Sequence, residues 1–299
     1  MSADGHHRLS RREFVDLLGT MALAPLALGA NRPIAQSPDR LSAQPPSRPT
    51  PIGIQLYTVR DLLARDFQGT LAALAAIGYQ EVEFAGLHGH PAEEVRAILD
   101  RCGLRAPSGH VGIPQITETL DQTIAEAKTL GHEYLVVPWI DEDARTRDGY
   151  RRTAETFNAA ALKLRQAGLT LGYHNHWFEF DRLPGGDAGA PSSGYDMLLQ
   201  YCDPKLVVME LDLYWIRKAG GNALRYLHDF AGRFRLVHVK DMGPDGSMVN
   251  VGEGVISWPG LLGAARQAGV RHFLVEHDEP KDPLAFARTS YRYLTSIRF

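Results

Sequence analysis

Eight short, β-rich runs recur along residues 51–299, and a longer helical pattern follows each one. The runs are Ile52–Val59, Tyr79–Phe84, Leu104–His110, Tyr134–Trp139, Leu169–His176, Leu206–Leu213, Arg235–Asp241 and His272–His277. Helical patterns occupy Phe67–Ile77, Pro91–Cys102, Ile116–Leu130, Gly149–Ala167, Gly194–Tyr201, Asn222–Phe230, Trp258–Ala268 and Pro283–Ser296. Strict alternation of this kind calls for parallel strands joined by crossover helices. Gly78, Gly103, Gly131, Gly168, Gly232 and Gly269 each follow a helix and precede a strand, where a left-handed residue ends a helix. Eight units over about 250 residues predict a closed (β/α)₈ TIM barrel. A doubly wound sheet is disfavoured because the first strand leads into Tyr57-Thr-Val-Arg-Asp rather than a glycine-rich nucleotide loop.

The 299-residue chain is 44% hydrophobic, enough to bury a full core, and carries a formal net charge of −3. A mildly acidic chain with no basic block predicts no nucleic-acid partner and no polybasic membrane contact. Cys102 and Cys202 lack metal-ligand spacing and read as apolar filling.

The N-terminus reads as a targeting segment. Ser10-Arg11-Arg12 leads into Phe14-Val15, and an apolar run extends to about Ala30, broken by Gly19 and Pro25. This order resembles a twin-arginine export signal, predicting recognition by the twin-arginine machinery and a periplasmic or secreted product. The run is too short for a stable membrane anchor. The expected organisation is a signal peptide over 1–35, a Pro/Ser-rich linker over 36–50 and one barrel over 51–299.

In a barrel enzyme the site forms at the C-terminal ends of the strands. Polar residues gather there in this sequence: Glu81 and Glu83, Ser108 and His110, His174 to Glu179, Glu210 and Asp212, His238 and Lys240, Glu276 and Asp278. Period-two spacing puts Glu210 with Asp212, His238 with Lys240, and Glu276 with Asp278. Converging carboxylates at apolar strand ends are costly unless paired or ligated, and a divalent cation resolves both problems. Structural alternatives stand beside these readings. Glu81 reads better as a salt-bridge partner, His110 as a satisfied core histidine in a minority reading, and Glu210 as a pair for an interior Lys or Arg. His272 falls at the wrong end of its strand.

Several stretches in this order resemble one family: IGIQLYTVRD at 52–61, GYQEVEFAG at 78–86, LGYHNHWFEF at 171–180, MELDLYW at 209–215, LVHVKDM at 236–242, VGEGVISW at 251–258 and FLVEHDE at 273–279. The chain resembles the sugar phosphate isomerase/epimerase family of xylose-isomerase-like barrels. The resemblance implies one divalent metal ion, Mn²⁺ foremost and Mg²⁺, Co²⁺ or Zn²⁺ as alternatives, held by Glu179, Asp212, His238 and Glu276. For the strand-five ligand, His174 and His176 stand as alternatives to Glu179. It also implies proton transfer next to a carbonyl, with Glu179 and Glu276 as catalytic bases. Lys240 and His110 would stabilise developing negative charge. Glu83, His176, Trp139 and Trp215 would contact a sugar or keto-sugar. Ketose 3-epimerases of the family carry a His where this chain has Trp215, which weighs against a plain ketohexose epimerase. The alternatives are a metal-dependent lyase or dehydratase of 3-keto sugars or glycosides, and a non-catalytic periplasmic carbohydrate-binding protein. Related barrels often form homo-oligomers.

Overall fold

The computed structural model describes residues 51–186, 189 and 191–299. The expected signal peptide and linker lie outside the described residues. Eight parallel strands close into a barrel: β1 (Ile52–Gln55), β2 (Glu81–Phe84), β3 (Arg105–His110), β4 (Tyr134–Val137), β5 (Thr170–His174), β6 (Val207–Asp212), β7 (Phe234–Val239) and, after a small hairpin, β10 (His272–Val275). β1 pairs with β10 through Ile52 and Phe273, and with β2 through Gly53 and Glu81, which completes the ring. The hairpin strands are β8 (Asp241–Met242) and β9 (Met248–Val249).

Local chemistry sets the punctuation. Asp66, Thr146, Ser193, Asn222 and Asp282 each accept a hydrogen bond from the N–H three residues on, at the start of a helix. Such a cap contributes about 1 kcal/mol. Gly103 and Gly131 end helices in the left-handed region, at φ 67° and 80°, where a Cβ would be strained.

Three departures from the sequence reading follow from chain geometry close to the strands. Residues Leu56–Val59 form a 3₁₀ turn rather than extending β1, because the Gln55 side chain accepts the Tyr57 N–H. The helix expected over Ile116–Leu130 is two helices, Ile113–Thr117 and Leu120–Leu130. A helix over Leu213–Lys218 follows β6 directly, because Asp212 Oδ1 accepts from the N–H groups of Tyr214 and Trp215.

The loop after β7 is organised by one buried carboxylate. Asp241 accepts from the N–H groups of Met242, Gly252, Gly254 and Ile256 and from Trp258 Nε1. A Cβ on Gly254 would stand 2.2 Å from Asp241 Oδ1. The glycines of VGEGVISW therefore let the backbone close onto this carboxylate.

Burial is layered. Outward-facing strand residues such as Val82, Leu171 and Phe273 join the helices in the main core. Inside the barrel, Tyr134, Val136, Val208, Leu236 and Leu274 form a separate apolar plug. Two residues further along their strands the interior becomes polar, at Glu210, His238 and Glu276. The plug closes the lower barrel, so the polar groups open only toward the C-terminal mouth.

Candidate active site

Alternation on β6 directs Glu210 and Asp212 inward one above the other, and alternation on β7 does the same for His238 and Lys240. Glu276 and Asp278 follow β10 on the same face. Glu83, Glu210, Asp212 and His238 are fully buried.

Two groups of potential metal ligands result. One is Asp212, His238 and Glu276, and the other is His110, His174, Glu210 and His238; within each, one ligand atom per residue lies within 4.8 Å of all the others. His238 joins them. Its Nδ1 is 2.8 Å from Glu276 Oε2, and its Nε2 is 2.8 Å from Glu83 Oε1 and 3.1 Å from Glu210 Oε2. Lys240 Nζ stands among three carboxylates, 2.8 Å from Glu276 Oε2, 2.8 Å from Asp278 Oδ1 and 3.2 Å from Asp212 Oδ2.

These neighbours set the protonation states. Burial opposes the charge on His110, yet the carboxylates of Glu83 and Glu210 outweigh it and lift its pKa to about 9. Burial likewise opposes charge on His238 and Lys240, but their carboxylate neighbours hold both in the protonated form. Burial would raise Glu276, but Lys240 and His238 hold its pKa below the usual carboxylate range. Asp212 is pushed up to about 6, chiefly by burial. Burial, then Lys240, lowers His176 to about 3, so it is a neutral imidazole.

A 620 Å³ cavity opens above the ligand groups. His110, His174, Lys240 and Glu276 form part of its wall, and Tyr57 and Trp139, each 42% exposed, stand at its edge. That volume suits a small-molecule site.

The donor set suits a divalent cation. Asp212 Oδ2 is buried and has no hydrogen-bond partner among the described residues. A protein cation, the Lys240 ammonium, already stands between Asp212 and Glu276. Mixed carboxylate and imidazole ligands fit Mn²⁺, Co²⁺ or Zn²⁺.

Residues 71–297 match the sequence model of the xylose isomerase-like TIM barrel. The chain belongs to that family. Among solved barrels of similar fold is a sugar phosphate isomerase/epimerase from Parabacteroides distasonis, at 24% identity and TM-score 0.72, spanning 83% of this chain and 95% of that one. An L-ribulose 3-epimerase is similar at 18% identity and TM-score 0.61, over 82% of this chain and 93% of that one. A probable 3-DHS dehydratase from Bacillus anthracis is similar at 12% identity and TM-score 0.62, over 82% and 98%. Among curated proteins, none matches the chain.

In this xylose isomerase-like barrel, the residues expected from sequence fall into several distinct positions. Asp212, His238, Glu276 and Lys240 converge on the inner mouth, His110 joins the deeper ligand group at the cavity wall, and His176 and Trp139 line the cavity. Trp215 is buried against His176 and Trp177, with the Lys240 ammonium 5.2 Å from its ring. Glu83 lies deeper than a substrate contact requires, where it accepts from Gln55 Nε2 at 2.6 Å and from His238.

Glu179 is separated from the expected ligand set. It sits in a 3₁₀ turn over Phe178–Phe180, and its carboxylate accepts from the Tyr173 hydroxyl and, at 2.9 Å, from the His176 N–H. Tyr173 faces the outer core, next to Phe157, while His174 faces the barrel interior. The turn after β5 thus carries Glu179 to the outer side, and burial raises its pKa to about 7. His174, one of the alternatives for the strand-five position, joins a ligand group instead.

Glu210 is also differently placed. Its neighbours are three histidines rather than an interior Lys or Arg. Glu81 accepts from Arg105 at 2.7 Å and from His272 at 2.9 Å, which makes it a structural ion pair. Gln55 was not singled out in the sequence, and only its period-two match to Glu83 across β1 and β2 signals its role.

Proposed function

We propose that this chain is a divalent-metal-dependent enzyme that moves a proton next to the carbonyl of a sugar or keto-sugar, as an isomerase or epimerase. The observation that carries this reading is the convergence of Asp212, His238 and Glu276 beneath a substrate-sized cavity, with Asp212 Oδ2 facing the Lys240 ammonium at 3.2 Å but without a hydrogen-bond partner among the described residues. A bound divalent ion would act there as a Lewis acid, lowering the cost of negative charge on a substrate oxygen.

The protein's own groups supply the rest. Glu276 reaches the cavity and is ionised, so it can accept a proton from an adjacent carbon. Lys240 and His110 are held protonated at the cavity wall and can donate hydrogen bonds to a developing oxyanion. Trp139 offers an apolar face to a sugar ring. His174, rather than Glu179, is the strand-five residue that joins a ligand group, the deeper one with His110, Glu210 and His238.

The position of Glu179 favours a second reading, a lyase or dehydratase of 3-keto sugars or glycosides. Epimerisation by two flanking glutamates needs a carboxylate on each face of the reacting carbon. Glu276 stands at the cavity without Glu179 opposite it. One base with protonated donors beside it suits the loss of a β-substituent from a keto-sugar. The export reading rests on the arginine pair Arg11-Arg12 and the apolar run after it. No helix among the described residues is long and apolar enough to cross a membrane.

The test is solvent deuterium incorporation. Full-length protein loaded with Mn²⁺ is incubated in D₂O with ketoses and 3-keto-glycosides. Exchange at the carbon next to the carbonyl, lost in Glu276→Gln, is expected. Unchanged exchange in Glu276→Gln removes Glu276 as the base. Ligand binding without exchange or turnover supports the carbohydrate-binding alternative.

A further inference from the structure

The mouth group uses His238 Nδ1, which leaves the deeper group without an assigned role. We propose that the barrel interior holds a second divalent-cation site, built by His110, His174 and Glu210 with Glu83 beside them. It lies below the site formed by Asp212, His238 and Glu276. Glu210 precedes Asp212 by two residues on β6, so the two carboxylates are offset by about 7 Å along the strand.

The arrangement around Glu210 is the central observation. Three imidazole nitrogens gather on a single oxygen: His110 Nε2 at 2.9 Å, His238 Nε2 at 3.1 Å and His174 Nδ1 at 3.3 Å from Oε2. One carboxylate oxygen offers about two acceptor directions. The other oxygen of the same group, Oε1, is buried and has no hydrogen-bond partner among the described residues. Hydrogen bonding alone would spread the donors over both oxygens. A cation centred among the nitrogens and Oε2 accounts for the crowding. In a tetrahedron with metal–ligand bonds of about 2.1 Å, ligand atoms stand roughly 3.4 Å apart.

Two further atoms point the same way. His174 is 2% exposed and Glu83 fully buried, yet His174 Nδ1, despite its approach to Glu210 Oε2, and Glu83 Oε2 lack a hydrogen bond among the described residues. Polar atoms left this way are costly, and native interiors rarely keep several together. His238 need not belong to both sites as a ligand. With Nδ1 turned to the mouth, its Nε2–H donates to Glu83 Oε1 at 2.8 Å. That contact fixes the ring and links the two sites. Two imidazoles with carboxylates favour Zn²⁺, Co²⁺ or Mn²⁺ over Ca²⁺. The inner site uses neither Asp212 nor Glu276; with its ion bound, His110 Nε2 is a ligand and donation to a developing oxyanion falls to Lys240 Nζ.

The test counts ions rather than turnover. Full-length protein is stripped with chelator, equilibrated with Zn²⁺, passed through a desalting column and assayed for zinc. The double variant His110→Ala/Asp212→Asn sets the background. Wild type is expected to hold two ions above it. His110→Ala and Glu210→Gln should each hold one fewer, as should Asp212→Asn. The ion retained by each single variant reports that its barrel is folded. One ion in wild type, lost in Asp212→Asn and kept in His110→Ala and Glu210→Gln, overturns the inner site and leaves the mouth site intact. One ion lost in His110→Ala and kept in Asp212→Asn supports the inner site and overturns the mouth site.

Discussion

Lys240 Nζ lies 2.8 Å from Glu276 Oε2, and the two side chains meet at the floor of the cavity. The ammonium also neutralises Asp212 and Asp278. Lys240 therefore occupies, with its own charge, part of the space a divalent ion would use. Without either cation the carboxylates repel each other in a dry site.

Lys240→Met removes the ammonium and keeps most of the side-chain volume. The metal-free variant is expected to lose about 3–5 kcal/mol, the usual cost of stripping one partner from a buried ion cluster. Added Mn²⁺ should stabilise the variant more than the wild type, because no internal cation competes. Thermal melts with and without Mn²⁺ measure both effects. An equal metal-induced shift in the two proteins contradicts competition at this position.

Glu179→Gln separates the ligand expected from sequence from the ligand groups seen in the structure. With Glu179 held by Tyr173 and the His176 N–H, the variant should keep its metal content. Asp212→Asn should lose about one ion per chain. Elemental analysis of both proteins decides the matter, and loss of metal in Glu179→Gln returns that residue to the ligand set.

His110 makes the metal-free protein pH-sensitive. Its folded pKa of about 9 lies above the unfolded value near 6.5. The stabilisation is therefore complete below about pH 6.5 and is lost as pH rises through 9, by at most about 3 kcal/mol. Urea unfolding of chelator-treated protein between pH 6 and 9.5 should show this decline, and His110→Gln should flatten it.

At the opposite end of the strands, Glu81 holds Arg105 and His272. His272 is buried, and Glu81→Ala leaves its Nδ1 without that partner. A loss of about 2–4 kcal/mol is expected. Zinc or manganese stoichiometry should not change, since the pair lies below the apolar plug. A stability loss accompanied by metal loss would show that the two ends of the barrel are coupled.

Much of the barrel was legible because its signals are local. Alternation on β6 and β7, and glycines such as Gly103 and Gly131 after helices, each act within a few residues. The same period put Asp212, His238, Lys240 and Glu276 on inward faces. The hairpin over 241–249 was not legible, because it depends on Asp241 reaching backbone groups 11 to 15 residues away.

By itself, the sequence determined the strand order, the inward face of each strand and the polar character of the strand ends, since backbone periodicity fixes all three. Only the tertiary structure decided which of those polar groups meet. Glu179 and His174 lie five residues apart in one segment, yet the turn after β5 sends the first to the outer tyrosines and leaves the second inside. Which side such a turn takes depends on partners such as Tyr173. The meeting of His238 with Glu83, 155 residues away, depends on closure of the whole ring. Short-range patterning carries no record of either contact.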